Sequence, residues 1–212
     1  ARGRRSDRQI MSIWRGPQEL ILASQSRARR MLLENAGLAF EALPADMDER
    51  AVQKNSGLSA PGEVASLLAR EKALFVSRQK PGQYVAGADQ TLALGERMFS
   101  KPAGRAQAAE QLGQLAGRTH ELHSAVSVAR DGKILFDDVS VARMTMRQLA
   151  AGEIEAYLDQ AGEAVTTSVG AYQLEGLGVH LFERIEGDHF TILGLPLLSL
   201  LAFLRREKLL AV

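Results

Sequence analysis

The chain has 212 residues, of which 46% are hydrophobic and 24% are charged, and its formal net charge at pH 7 is +1. This length and composition are enough to bury a full core, as one large domain or two small lobes. The near-neutral net charge argues against a general binder of nucleic acids or membranes. Because the sequence has no cysteine, disulfide frameworks and thiolate metal sites are excluded, and a reducing cytosol is consistent with this composition.

Two segments of the chain bear on membrane targeting, the basic opening segment and an apolar run near residue 200. The opening segment ARGRRSDRQI carries four arginines and lacks the apolar core of a signal peptide. We predict that residues 1–17 are a disordered basic arm or an expression extension, and that residues 18–209 form one domain. The apolar run ILGLPLLSLLAFL at 192–204 is too short to span a bilayer, so it predicts a buried loop and helix that could also contact a partner subunit.

The stretch from Leu20 to Asn35 passes from strand to helix through a polar turn. Its first four residues, LILA, are typical of a strand, and helical spacing begins at Ala28. Such a turn collects free main-chain N–H groups, the positive end of a helix dipole and the hydroxyls of Ser24 and Ser26, which suits a phosphate. The guanidinium groups that could assist belong to Arg27, Arg29 and Arg30. The alternative is that Ser26 only caps a surface helix whose arginines face solvent.

A second short strand is predicted at 40–43, followed by the acidic loop PADMDER at 44–50. The carboxylates of this loop are Asp46, Asp48 and Glu49. Pro61 then starts a long helix that carries Lys72 near its middle.

The small-residue strand YVAGA at 84–88 runs directly into Asp89. A carboxylate that follows a buried strand lies at the strand's carboxyl end, where open α/β sheets bind their ligands. Burying Asp89 there is costly unless the carboxylate is used or paired, so we predict a functional role for it. If Gly95 and Glu96 form a hairpin turn, the returning chain brings Lys101 to the same neighbourhood.

The remaining pattern alternates helices, strands and one polar loop. It predicts a helix at 104–115, a hairpin at 122–146, a helix at 150–158, a ligand-facing loop at 166–178, a strand at 179–185 and an apolar helix that ends at 206.

This inventory of carboxylates, lysines and arginines suits metal-assisted phosphoryl chemistry, since Mg²⁺ prefers one or two carboxylates with phosphate and water oxygens. His120 and His123 do not favour a metal pair, because residues three apart on a strand face opposite ways. Neither GxSxG nor GxxxxGK[ST] occurs, which excludes a hydrolase nucleophile elbow and a P-loop.

Five segments of the chain resemble, in order, the Maf family of nucleoside triphosphate pyrophosphatases: ILASQSRARRMLL, LAREKA, GADQT with a following SKP, SVGAYQLEGLG and GLPLLSLL. The resemblance covers Leu20 to about Arg206. It implies an inosine-triphosphatase-like α/β fold, with an elongated mixed sheet, flanking helices and a cleft between two lobes. It also implies a cytoplasmic, often dimeric enzyme that cleaves a nucleoside triphosphate to the monophosphate and pyrophosphate with Mg²⁺ or Mn²⁺.

The resemblance assigns roles to residues at matching positions of the motifs. Phosphate would be held by Ser24, Ser26 and Arg29, and the polar turn itself makes Arg30 a further candidate for substrate binding. The metal would be coordinated by Glu49 and Asp89, of which Asp89 would accept a proton. The triphosphate would be bound and polarised by Lys72 and Lys101.

Departures from the family pattern concern the base. The pyrimidine branch, specific for dTTP and UTP, has SPRR, GADT and DKAGAYGIQG, whereas Gln90 and Glu175 here resemble the 7-methyl-GTP branch, as does LFERIEG. A carboxylate at 175 can accept from N1 and N2 of guanine, and it favours the positive charge of the methylated ring. Ala28 matches neither branch, and Thr167 and Ser168 replace the aspartate and lysine of DKAG.

We therefore expect a metal-dependent pyrophosphatase that acts on a modified nucleotide, with 7-methyl-GTP ahead of dTTP or UTP, and no membrane or nucleic-acid partner. The alternative is a nucleotide-binding regulator of septum formation without turnover, which the serine at position 168 favours. Nucleic-acid binding through the basic arm ranks lower and would depend steeply on salt.

Overall fold

The computed structural model describes residues 13–212 and contains one mixed β-sheet with helices on both faces. The strands are β1 Leu20–Ala23, β2 Phe40–Ala42, β3 Val85–Leu94, β4 Arg97–Phe99, β5 Thr119–Arg130, β6 Lys133–Met146 and β7 Phe182–Glu186. They lie in the order β2-β1-β3-β5-β6-β7, and β4 pairs with β3. Strands β1, β2 and β3 are parallel and the other pairs are antiparallel, so the predicted α/β class with a mixed sheet is confirmed.

The helices are α1 Arg27–Asn35, α2 Glu49–Ser56, α3 Pro61–Gln79, α4 Arg105–Leu115, α5 Ala151–Ala161, α6 His189–Ile192 and α7 Leu197–Arg206. Short 3₁₀ segments occupy Gly162–Thr166, Val169–Ala171 and Leu177–Leu181. A strand was predicted at 179–185. In the structure, residues 179–181 belong to the last 3₁₀ segment, and β7 starts at Phe182.

Two predicted boundaries are wrong in ways that affect the site. The acidic loop ends early because Asp48 caps α2, its Oδ1 accepting from Ala51 N at 3.0 Å, so Glu49 opens a helix. The strand predicted to end at residue 88 continues as β3 to Leu94, so Asp89 lies inside a strand. Asp89 is nevertheless at an edge, because the neighbouring strand β1 ends earlier than β3.

Helix α3 approaches β3 very closely at Gly87. A Cβ at this position would lie 2.2 Å from the carbonyl oxygen of Ala69 and 2.6 Å from the nitrogen of Ala73. Only glycine allows this contact, and the facing helix residues are alanines for the same reason. Since Lys72 lies between those alanines and Asp89 is two residues beyond Gly87 on the same face of β3, the contact brings the two charged groups together.

The core of the described residues consists of two large apolar clusters along the sheet and two small ones beside α3. One cluster packs α1 and α7 on β1, β3 and β5, and the ring of Phe203 stacks on Phe136 at 4.9 Å between centroids. The other packs α4 and α5 against β5 and β6. The first cluster buries most of the apolar run at 192–204, as predicted, although Leu198 on α7 is 60% exposed.

Residues 13–17 pack against the domain, although the prediction assigned them to an arm at 1–17. Trp14 is buried in the first core cluster and pairs with Leu210 as an isolated β-bridge. Residues 1–12 of the predicted arm lie outside the described residues. Within residues 13–212, no helix combines the length and apolar character needed to cross a membrane.

Candidate active site

The candidate site forms at a gap along one edge of β3. Strand β1 pairs with β3 only as far as Ala23 opposite Gly87, and β4 pairs with β3 only from Leu92 onwards. Within the described chain, no strand covers residues 88–91 on this side. Polar groups from α1, α2 and α3 gather at this gap instead.

Lys72 joins two carboxylates there. Its Nζ lies 2.6 Å from Oδ1 of Asp89 and 2.9 Å from Oε1 of Glu49. The side chains of Lys72 and Asp89 are 9% and 11% exposed, whereas that of Glu49 is 46% exposed. Because an ammonium group has three protons, one donor of Lys72 remains for a ligand. Lys72, Asp89 and Glu49 are therefore in contact with one another, and the roles that the resemblance gave them stay predictions.

Arg29 is the second buried cation of the site, and the protein fixes its orientation. Nε donates to the carbonyl of Gly194 at 2.7 Å, while Nη1 donates to Ser24 Oγ at 3.0 Å and to the carbonyl of Ala88 at 2.8 Å. These bonds use three of the five guanidinium protons. No group within residues 13–212 accepts from Nη2, so its two protons form a fork available to an anion.

Burial dominates the electrostatics of both groups. It raises the pKa of the Asp89 carboxyl above its usual range, against the opposing charges of Lys72 and Arg29. It also lowers the pKa of the Arg29 guanidinium, against the opposing charges of Asp89 and Glu49. A carboxylate whose pKa is raised by burial is better suited to accept a proton near neutral pH.

Both serines of the polar turn have structural partners. Ser26 is the N-cap of α1, since its Oγ accepts from the nitrogen of Arg29 at 3.4 Å, which is the role that the simpler alternative gave it. Ser24 is buried, and its Oγ accepts from Arg29 Nη1 and from the nitrogen of Ser26 at 3.3 Å. The hydroxyl of Ser24 thus lies just before α1 and holds one nitrogen of the guanidinium in place.

Gln90 projects to the opposite face of β3 from Asp89. Its Nε2 lies 2.9 Å from Ser124 Oγ, 3.1 Å from the carbonyl of Thr191 and 3.0 Å from the carbonyl of Ile192. Because carbonyls only accept, the amide nitrogen and not the oxygen must face them. Its predicted contact with the base stays a prediction.

Other predicted residues lie away from these contacts. Arg30 is exposed and lines a separate hollow of about 410 Å³ on the β2 side of α1. Ala28 packs partly against the first core cluster. Lys101 is exposed between β4 and α4, and Glu175 is exposed in a turn before the last 3₁₀ segment; neither has a hydrogen bond or ion pair with another described residue.

The donor set fits a divalent metal completed by substrate. Glu49 and Asp89 converge on one cationic atom, and hard carboxylate oxygens suit Mg²⁺ and Mn²⁺. Within the described residues, no group of three or more His, Cys, Asp or Glu side chains could enclose a metal. Phosphate and water oxygens would therefore have to complete the coordination, and a metal here stays a prediction.

The two histidines of β5 face opposite ways, as predicted from strand geometry. His120 is fully buried, with Nε2 2.7 Å from the hydroxyl of Tyr172, and burial lowers its pKa to about 4. His123 lies on the other face, with Nε2 3.1 Å from Oε2 of Glu121.

Two groups at the site escaped prediction because their contribution comes through the main chain. The carbonyls of Ala88 and Gly194 orient Arg29, although neither residue has a functional side chain. The only signal in the sequence was the glycine of GLPL, which has φ +90° at Gly194 and so a conformation that favours glycine.

Comparison with known proteins agrees with the motifs. Residues 19–207 match the family described as Maf-like protein. A nucleoside triphosphate pyrophosphatase of Bradyrhizobium diazoefficiens is 71% identical over 202 residues, which cover 95% of this chain and 100% of the relative. A 7-methyl-GTP pyrophosphatase of Brucella abortus is 53% identical over 193 residues, which cover 90% of this chain and 96% of the relative. A solved HAM1 protein from Coxiella burnetii has a TM-score of 0.41 and 18% identity, covering 60% of this chain and 72% of that chain.

The family match includes the whole gap in β3 and every charged group that converges on it. Together with the extent and identity of its curated relatives, this match shows that the chain belongs to the Maf-like protein family.

Proposed function

We propose that the protein is a nucleoside triphosphate pyrophosphatase that cleaves between the α- and β-phosphates. The observation that carries this proposal is the convergence of buried Lys72 and Arg29 with two carboxylates beside the start of α1. Relatives that bear the pyrophosphatase name support the same reaction. The site thus combines cations for phosphate with a carboxylate for a proton, as hydrolysis of a phosphoanhydride requires.

In this proposal the phosphates lie at the start of α1, where Nη2 of Arg29 and the helix N–H groups donate to their oxygens. Lys72 donates a hydrogen bond from its remaining N–H to the departing pyrophosphate. Lys101 approaches the pyrophosphate from the β4 side. Asp89 accepts a proton from the water that attacks the α-phosphorus. A Mg²⁺ or Mn²⁺ ion held by Glu49 and Asp89 would supply Lewis-acid stabilisation of phosphate charge when bound.

We propose 7-methyl-GTP as the preferred substrate. The Brucella relative bears that name, and Glu175 offers a carboxylate to the donor edge of a guanine. A uracil or thymine edge offers fewer donors to this carboxylate, which argues against UTP and dTTP. These two nucleotides are the alternative substrates.

Turnover of a base panel tests both parts of the proposal. Pyrophosphate release is measured with Mg²⁺ and with Mn²⁺ on dTTP, UTP, CTP, GTP, 7-methyl-GTP and ITP. We expect the highest kcat/KM for 7-methyl-GTP and a loss of that preference in Glu175→Gln. Preference for dTTP or UTP would overturn the substrate and leave the reaction standing.

Asp89→Asn is the decisive variant for the reaction, and we expect kcat to fall by at least about 10²-fold with the fold intact. Asp137→Asn is its matched control, because Asp137 also pairs with a cation of α3, Arg70 at 2.7 Å, but away from the gap. Equal activity of Asp89→Asn and wild type would remove Asp89 from the mechanism. Nucleotide binding without release from any substrate would favour the septum regulator, for which Ser168 in place of the family lysine is the supporting feature.

A cytoplasmic homodimer with no nucleic-acid partner is the remaining part of the proposal, and it rests on the family resemblance. Sedimentation at micromolar concentration would distinguish dimer from monomer.

A further inference from the structure

The turn at 188–195 holds Arg29 without contributing a side chain to the ion cluster. We call residues 188–195 the anchor turn. It begins where Asp188 caps α6 by accepting from Phe190 N at 2.8 Å, and it ends beyond Gly194, whose carbonyl accepts from Arg29 Nε. The direction of the guanidinium fork therefore depends on where this turn lies.

Helix α6 spans only His189–Ile192, and the turn supplies some partners for its carbonyls: Gly194 N donates to the carbonyl of Thr191 at 3.0 Å, and Leu195 N donates to that of Phe190 at 3.1 Å. Side chains of the sheet add further donors. The carbonyl of Thr191 accepts from Ser124 Oγ at 2.6 Å and from Gln90 Nε2 at 3.1 Å, and that of Ile192 accepts from Gln90 Nε2 at 3.0 Å. Two side chains of the central sheet thus fasten the anchor turn.

Gly194 lies next to both Arg29 and Gln90. A Cβ at this residue would lie 3.4 Å from Nε and Nη2 of Arg29 and 3.7 Å from Cδ of Gln90. A shift of the turn would therefore change one of the three hydrogen bonds that orient Arg29, the others being those to Ser24 and to the carbonyl of Ala88.

We propose that Gln90 is a positioning residue: through the carbonyls of Thr191 and Ile192 it fixes the turn whose Gly194 carbonyl aims Arg29 at phosphate. The proposal rests on the proposed function in requiring that Arg29 binds phosphate. It assigns the departure at position 90 to phosphate binding and not to selection of the base. Both protons of the Gln90 amide already serve protein acceptors, which leaves that nitrogen without a donor for a base.

Inorganic tripolyphosphate is the discriminating probe because it has no base. Its affinity is measured by calorimetry in EDTA for the intact protein and for Gln90→Met, which keeps the length of the side chain and removes its donors. We expect affinity to fall roughly 5- to 20-fold, the effect of one or two lost hydrogen bonds. The ranking of nucleotides by kcat/KM should stay unchanged while KM rises for all of them.

Ser124→Ala is the second variant, since Ser124 is fully buried and cannot touch a nucleotide. It should lower tripolyphosphate affinity in the same direction, because it removes one of the donors that hold the carbonyl of Thr191 to the sheet. In an Arg29→Lys background, which lacks the Nε bond to Gly194, Gln90→Met should have little additional effect. Thermal melts of each variant check that the fold is retained.

Several results would overturn the inference. These are unchanged tripolyphosphate affinity in Gln90→Met, strict additivity with Arg29→Lys, or a changed base ranking with unchanged phosphate affinity. Absence of tripolyphosphate binding by the wild type would also overturn it, since Arg29 would then not bind phosphate. Failure of the proposed reaction is distinguishable, because it would abolish pyrophosphate release and leave the calorimetric differences in place.

Discussion

Two clusters of the molecule have nearly the same local geometry and different surroundings. In the gap of β3, Lys72 lies 2.6 Å and 2.9 Å from two carboxylates. Between α4 and α5, Arg105 lies 2.5 Å from Glu155 and 2.8 Å from Asp159. The first cation is 9% exposed and the second is 46% exposed.

The difference shows that distance alone does not measure the strength of an ion pair. Water competes with the contacts of Arg105 and screens them, so such exposed pairs add little to stability. At Lys72 the removal of water leaves each charge dependent on its partner. Only the buried cluster can therefore hold a carboxylate with a raised pKa, which is the property that the proposed chemistry uses.

The largest effect is expected from Lys72→Met. Removing the ammonium leaves Asp89 buried without its nearest counter-charge, and breaking a buried pair costs about 3–5 kcal/mol of unfolding free energy. Asp89→Asn should cost less, because Lys72 keeps Glu49 at 2.9 Å. Urea unfolding at pH 7 measures both, and equal stabilities of the two variants would contradict the asymmetry.

His120 sharpens the comparison, because it is buried like Lys72 but its ring contacts Tyr172 and Phe182, and no carboxylate of residues 13–212 forms an ion pair with it. Burial lowers its pKa from 6.5 to about 4. As pH falls from about 6.5 to about 4, His120 becomes protonated in the unfolded chain but stays neutral in the folded protein. The stability present above pH 6.5 is thus lost over this interval, by about 3 kcal/mol.

The measurement is the unfolding free energy of wild type and His120→Gln between pH 7.5 and pH 4. The variant should show a shallower decline with acid, since it lacks the titrating ring. Parallel curves would mean that His120 protonates equally in the folded and unfolded chain.

The smallest effect is expected at the exposed cluster. Arg105→Ala removes both close contacts at once, yet we expect the Tm to change by no more than about 2 °C. High salt should also change the wild-type Tm by no more than about 2 °C, because water already screens the contacts of Arg105. A drop in Tm as large as that of Lys72→Met would break the comparison.

The motifs of the sequence grouped Lys72, Asp89 and Glu49, but they did not show why these residues meet in the fold. Lys72, Asp89 and Glu49 were assigned together and lie together. Asp89, however, was placed after a strand that in fact continues to Leu94, because the polar residues at 89–91 interrupt the apolar run. What exposes Asp89 is the early end of β1, a property of a neighbouring strand that no local pattern records.

Long-range contacts account for the other limits. Arg29 and Arg30 are adjacent and chemically alike, yet one is buried in the site and the other faces a different hollow. Their positions on α1 point the two side chains in different directions, and the sequence of the polar turn did not show which arginine enters the site. Helix α2 was missed because none of its residues is buried, so it leaves no apolar stripe.

Gly87 gives a last consequence of the packing between α3 and β3. A methyl group there would lie 2.2 Å from the carbonyl oxygen of Ala69, so even alanine would push the helix away from the strand. The separation of the lysine from the aspartate is thus set by a residue with no chemistry of its own. In a saturation-mutagenesis survey scored by activity, we expect position 87 to tolerate as few replacements as position 89.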